Sequence, residues 1–65
     1  MKKLCGKWTS DITDLICEVI AVYHVYENGD VKAKYHLYNK KNGISYERKT
    51  AKLPKKFFDI NTKVS

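Results

Sequence analysis

The sequence has few of the residues that break or staple a small chain. A single proline, Pro54, leaves everything before it free to form uninterrupted strands or helices. Its three glycines, Gly6, Gly29 and Gly43, are isolated, so no glycine-rich loop is available to cradle a phosphate. The two cysteines, Cys5 and Cys17, allow one bridge at most. Secreted mini-proteins commonly carry four or more, so two free thiols in a cytoplasmic protein is the favoured reading. The longest apolar run, VIAVY, is far too short to span a bilayer. The N-terminus MKKLCGKWTSD has the lysines of a signal peptide, but Lys7 and Asp11 interrupt any apolar stretch, and no membrane partner is expected. Only one of the thirteen basic residues is arginine, Arg48. That shortage argues against sequence-specific base readout, because arginine to guanine is the commonest specific contact.

What is present is a short, basic, apolar-patterned chain. Its 65 residues make one domain (1–65) at most. A domain of this size buries only about 60% of the surface its unfolded chain exposes, so its stability margin is small. A hydrophobic fraction of 43% is enough for a folded core and speaks against intrinsic disorder. The formal net charge of +6 favours anionic partners, though many small proteins are basic for solubility alone.

The pattern predicts a mainly β, small α+β domain: an N-terminal arm over 1–9, a β-meander over 17–51, a helical turn within 53–60 and a frayed tail over 61–65. Trp8 would anchor the arm on the core. Ile12, Leu15, Ile16 and Val19 fall at i, i+3, i+4 and i+7, and Ser10 with Asp11 and Asp14 suits a helix start. The following CEVIAVYHV is rich in β-branched and aromatic residues. The compromise is a helical turn at about 11–15 and a strand from about 17 to 26. Asn28-Gly29 and Asn42-Gly43 are strong turn signals. Between them, Val31, Ala33, Tyr35 and Leu37 alternate with Lys32, Lys34, His36 and Tyr38. A third strand covers about 44–51, giving a three-stranded antiparallel meander. Pro54 suits the first turn of a short helix over 54–60, whose Phe57 and Ile60 would cover the sheet together with Leu53.

Register decides what lies outside. A three-residue first loop pairs Tyr26 with Asp30 and His24 with Lys32; a two-residue loop would put Tyr23 opposite Lys34. The first is favoured because it keeps His24 out of the core. A four-residue second loop pairs Asn39 with Ile44, Leu37 with Tyr46, and Lys34 with Lys49. Lys32, Lys34 and Lys49 then share one face with His36 and Tyr38, Lys40 and Lys41 extend the charge along the loop, and Lys52, Lys55 and Lys56 extend it at the tail. Lysines neutralise phosphates and tyrosine stacks on bases, as on sheets that bind nucleic acid. The plainer account is a solvated outer face, with Glu18 and Glu47 neutralising neighbours.

No catalytic or metal motif emerges. Cys5, Cys17, His24 and His36 match no zinc spacing, Asp11 and Asp14 are explained by capping, and so short a chain has little room for a shaped pocket. The expectation is a non-enzymatic protein without cofactor or metal.

The layout of arm, meander and terminal helical turn is similar to that of the small SH3-like barrels, including the basic chromatin proteins of archaea. That resemblance implies a nucleic-acid-binding sheet and transfers no individual residues. The lysine-, tyrosine- and asparagine-rich composition also resembles small phage accessory proteins that inhibit host enzymes or mask host factors. The favoured expectation is therefore an interaction or inhibitor protein docking on a host protein with an acidic surface, through the basic face or a sheet edge. The alternative is a basic nucleic-acid-binding module with weak sequence specificity. Both use Lys32, Lys34, His36, Tyr38, Lys40, Lys41 and Lys49. Either free sheet edge also offers a route to a homodimer.

Overall fold

The computed structural model of the chain describes residues 4–64. Five strands and one short helix follow in the order β1 (Gly6–Thr9), β2 (Leu15–Val25), β3 (Val31–Asn39), β4 (Ser45–Leu53), α1 (Lys55–Ile60) and β5 (Thr62–Lys63). The strands form a single antiparallel sheet in the order β4-β3-β2-β1-β5. The expected meander is β2-β3-β4. The arm and the tail add a strand each: Trp8 lies opposite both Cys17 and Lys63, and Thr9 opposite Thr62. What was expected to fray at 62–63 is thus held by β1. Residues 1–3 of the arm and 65 of the tail lie outside the described residues. β4 and β5 are the two edges of an open sheet, which does not bear out the SH3-like layout.

The helical turn expected at 11–15 does not form. Residues 11–14 make a turn, and β2 already begins at Leu15. Ile12, the first member of the proposed stripe, is 94% exposed, whereas Cys17 and Val19 are buried with strand alternation. The β-branched run of β2 takes the chain into the sheet, and local helical spacing loses to pairing on both sides.

One face of the sheet carries the core. Trp8, Cys17, Val19, Val31, Ala33, Tyr35, Leu53 and Phe58 are buried there, with Leu37, Ala51 and Phe57 packed against them. α1 covers this face. Phe58 meets Trp8 edge-on with ring centroids 5.0 Å apart, and the Trp8 indole N–H donates to the Leu4 carbonyl at 2.9 Å. Phe58, and not Ile60, is therefore the helix residue that seals the core; Ile60 is exposed.

The helix start is tied to the first hairpin. Pro54 provides no side-chain cap. The Asp30 carboxylate accepts instead from the Lys55 backbone N–H at 3.0 Å and receives Asn28 Nδ2 at 3.2 Å. Gly29, at φ +95°, closes that hairpin with its N–H bonded to the Tyr26 carbonyl.

Candidate functional site

Among the described residues, no element covers the sheet face opposite α1. Its composition follows from three one-residue insertions in the strands. The first hairpin has the expected three-residue loop: the Tyr26 N–H bonds to the Asp30 carbonyl at 2.8 Å, and His24 lies opposite Lys32. Further along β2, Tyr23 and then Ile20 are extra residues, so that Val22 faces Ala33 and Val19 faces Tyr35. The favoured register aligns Val19, Ala21, Tyr23 and Val25 with the apolar face of β3, Val19 opposite Leu37. The insertions keep Val19 there but opposite Tyr35, put Val22 opposite Ala33 in place of Tyr23, and leave Tyr23 58% exposed. Replacing a tyrosine by valine in the core column spares a buried hydroxyl the search for a partner.

The third insertion decides the site. The second hairpin begins as expected, with the Asn39 N–H bonded to the Ile44 carbonyl at 2.8 Å and Tyr38 opposite Ser45. Then Tyr46 is extra, and from Leu37 opposite Glu47 onward every pair is displaced by one. Lys34 meets Thr50, not Lys49, and Lys49 meets Tyr35 on the core side of the sheet. Lys49 is thus not a member of the outer basic face. Tyr46 is likewise not a core partner of Leu37; it is exposed, and its hydroxyl accepts from Asn39 Nδ2 at 3.1 Å. The physical reason is burial. Without the insertion, Arg48, Thr50 and Lys52 would stand opposite Tyr35, Ala33 and Val31 in the core. With it, Ala51 meets Ala33 and Leu53 meets Val31.

The same shift delivers Arg48 opposite His36 and Lys52 opposite Lys32 on the outer face. Lys32, Lys34, His36 and Tyr38 remain together there as alternate residues of β3. One row crosses four strands as Lys7, Glu18, His36 and Arg48; another joins His24, Lys32 and Lys52. Aromatic rings stand at both ends of β3. Tyr38 packs on His36 at 5.0 Å, and His24 packs edge-on to Tyr26 at 4.6 Å with the Lys52 ammonium 5.3 Å from the Tyr26 centroid. His36 Nε2 and Ser45 Oγ lie 2.8 Å apart.

The other predicted cations are engaged elsewhere. Lys49 pairs with Glu47 at 3.1 Å, and this hydrogen bond with its charge raises the Lys49 ammonium above its ordinary pKa. Lys41 lies 3.6 Å from Asp14, and the Lys40 ammonium reaches the Ser10 carbonyl at 3.5 Å, so both loop lysines lean onto the β1–β2 turn. Lys55 and Lys56 belong to α1, across the sheet. Lys52 is paired with Asp30 at 3.8 Å, a long contact whose lysine end is exposed and which carries little energy. Among the described residues, Lys32, Lys34 and Arg48 form no ion pair. Arg48 was missed because it sits one residue from Lys49, on the wrong side of an insertion. Ala51 and Leu53, two apart like Ala33 and Val31, were the available sign of that shift.

His24 and His36 lie at different rows of the face, and among the described residues no three His, Cys, Asp or Glu side chains cluster to hold a metal ion. Cys5 is exposed and Cys17 buried, both as free thiols; burial pushes the Cys17 thiol up to about 11. A groove of about 500 Å³ near Ile12, Ile60 and Val64 has Asp11 as its sole titratable lining residue among the described residues. Among the described residues, no helix is long and apolar enough to cross a membrane. No family model, curated protein or solved structure matches the chain.

Proposed function

We propose that the chain is a non-enzymatic binding module whose open sheet face takes a polyanion, in the first place a nucleic acid. The observation that carries this reading is the direct facing of Lys32 by Lys52, with Lys34 and Arg48 beside them, on a face that no element of the described residues covers. Like charges directly opposite one another destabilise a sheet. A fold under no pressure but solubility has little reason to set two lysines in register, and the weak contact of Lys52 with Asp30 at 3.8 Å leaves Lys32 and Lys34 without an ion pair among the described residues. An anion laid over the rows relieves the repulsion and releases its counterions on binding. Arg48, directly opposite His36, tips the choice of polyanion from an acidic protein toward nucleic acid, since guanidinium planes both pair with phosphate and stack on bases.

A second reading is supported by β4, an edge strand exposed along nearly its whole length. An extended acidic segment of a partner protein could add to it by strand pairing. Arg48, Lys49 and Lys52 on that edge work against pairing with a second copy of the chain.

The test is a titration of isotope-labelled protein with a mixed-sequence oligonucleotide, followed by amide shifts, with poly-glutamate as competitor. Binding on the face moves the amides of β3 and β4 around Lys32, Lys34 and Arg48. Shifts confined to α1 and β5 would overturn the reading, and displacement by poly-glutamate at equal charge concentration would favour the acidic partner.

A further inference from the structure

We infer that the nucleic acid this face takes is single-stranded, with bases resting on the ring pairs at the two ends of β3 and phosphates over the cations between them. The inference rests on the nucleic-acid reading above and narrows it.

The first argument is one of shape. β1 to β4 run side by side across the Lys7, Glu18, His36 and Arg48 row. Four strands span about 14 Å between outer axes before side chains are added. The major groove of duplex DNA is about 12 Å wide and admits a helix or a two-stranded ribbon. The minor groove is narrower still, and sheets enter it by driving apolar wedges between base steps. The outer positions of β3 and β4, where the cations lie, are Lys32, Lys34, His36, Tyr38, Arg48, Thr50 and Lys52, with no aliphatic side chain among them; the aliphatic side chains nearby, Ile16 opposite Tyr38 and the exposed Ile20, belong to β2. Over the cations of β3 and β4 a duplex therefore meets the face along its backbone, leaving the rings unused.

The second argument is the placement of those rings. Tyr38 with His36 and His24 with Tyr26 flank the cations rather than being scattered among them. Tyr38 and the Lys32 that faces His24 are six residues apart along β3, or about 20 Å. That length suits a short strand of the size bound by the smaller single-strand sites, about 4 nucleotides. Base stacking is tolerant of sequence, which agrees with a face holding one arginine and no amide side chain at its centre. The result is a platform for a few unpaired bases with weak sequence preference.

The experiment compares, by fluorescence anisotropy at low salt, an eight-nucleotide single-stranded DNA, the RNA of the same sequence and a blunt duplex of that sequence. Wild type, Tyr38→Phe and Tyr38→Ala are each titrated. The expected result is at least tenfold weaker binding of the duplex, a loss of about tenfold in single-strand affinity for Tyr38→Ala, and near wild-type affinity for Tyr38→Phe, because the ring and not the hydroxyl stacks. In wild type, ring protons of Tyr38 and His24 should move upfield on adding the single strand, which keeps the test available if Tyr38→Ala folds poorly. Duplex binding as tight as single-strand binding, or unmoved ring protons, would overturn this inference and leave the nucleic-acid reading standing. Absence of binding to all three probes would remove both.

Discussion

Reversing the charge of Lys32 should make the free protein more stable and its binding weaker. Lys32 stands directly opposite Lys52, and both are exposed. Directly opposed Cβ atoms are about 5 Å apart, and long side chains splay their ammonium groups to about 7 Å. At that distance in water the repulsion is about 0.6 kcal/mol, and replacing it by an equal attraction changes stability by about 1.2 kcal/mol before screening. Screening leaves about 1 kcal/mol at 10 mM salt, about half of that at 0.1 M and close to nothing at 1 M. For a domain of this size 1 kcal/mol corresponds to a rise of about 4–8 °C in melting temperature. Lys32→Gln, which removes repulsion without adding attraction, should give about half the gain. Thermal unfolding of Lys32→Glu followed by circular dichroism at the three salt concentrations is the assay. A lowered melting temperature, or a gain that does not shrink with salt, would refute the claim that this face is electrostatically frustrated.

Other substitutions probe the frame that holds the face in place. Asp30→Ala removes the acceptor for the Lys55 N–H and the partner of Lys52, and urea unfolding should show a loss of about 1 kcal/mol, with Asp30→Asn losing less. Gly29→Ala forces a side chain into φ +95° with its Cβ 2.7 Å from Lys55 Cδ. It should cost about 1 kcal/mol or more, and Lys55→Ala should restore only the contact part, as a double-mutant unfolding series would show. Burial pushes Cys17 from 9.0 up to about 11, so the unfolded chain gives up this proton first. The stability this contributes is complete below about pH 9 and is lost as pH rises toward about 11, because the unfolded state then binds fewer protons. Urea midpoints across that range should fall more steeply for wild type than for Cys17→Ala. A thiol reagent should also titrate Cys5 in the native protein and reach Cys17 only on unfolding.

The sequence carries its turns openly and its strand insertions poorly. Asn28-Gly29 and Asn42-Gly43 lie where the chain reverses, and the alternation from Val31 to Tyr38 sorts β3 into an apolar and a basic face. Both hairpin loops close as the turn chemistry requires. Beyond them, Ile20, Tyr23 and Tyr46 each add a residue that simple counting from a turn passes over. Such insertions are settled by long-range burial: Leu53 under α1, and Val22 and Val19 facing β3. Local propensity says nothing of them. The cost of the miscount fell on the site, where Lys49 went to the wrong face and Arg48 was overlooked, while Lys32, Lys34, His36 and Tyr38 stayed together because they share one strand. β1 and β5 were hidden for a related reason. Four and two residues are too short to show a period, and their pairing depends on Trp8 being drawn to Cys17 and Phe58.

The most direct test of the binding face is the salt dependence of single-strand affinity in wild type and in Lys34→Ala and Arg48→Ala. If Lys32, Lys34, Arg48 and Lys52 each neutralise a phosphate, the logarithm of the binding constant should fall with the logarithm of salt at a slope of roughly −2.8, and each substitution should bring the slope closer to zero by about 0.7. An unchanged slope in both variants, or no measurable binding at 10 mM salt, would contradict the assignment of this face.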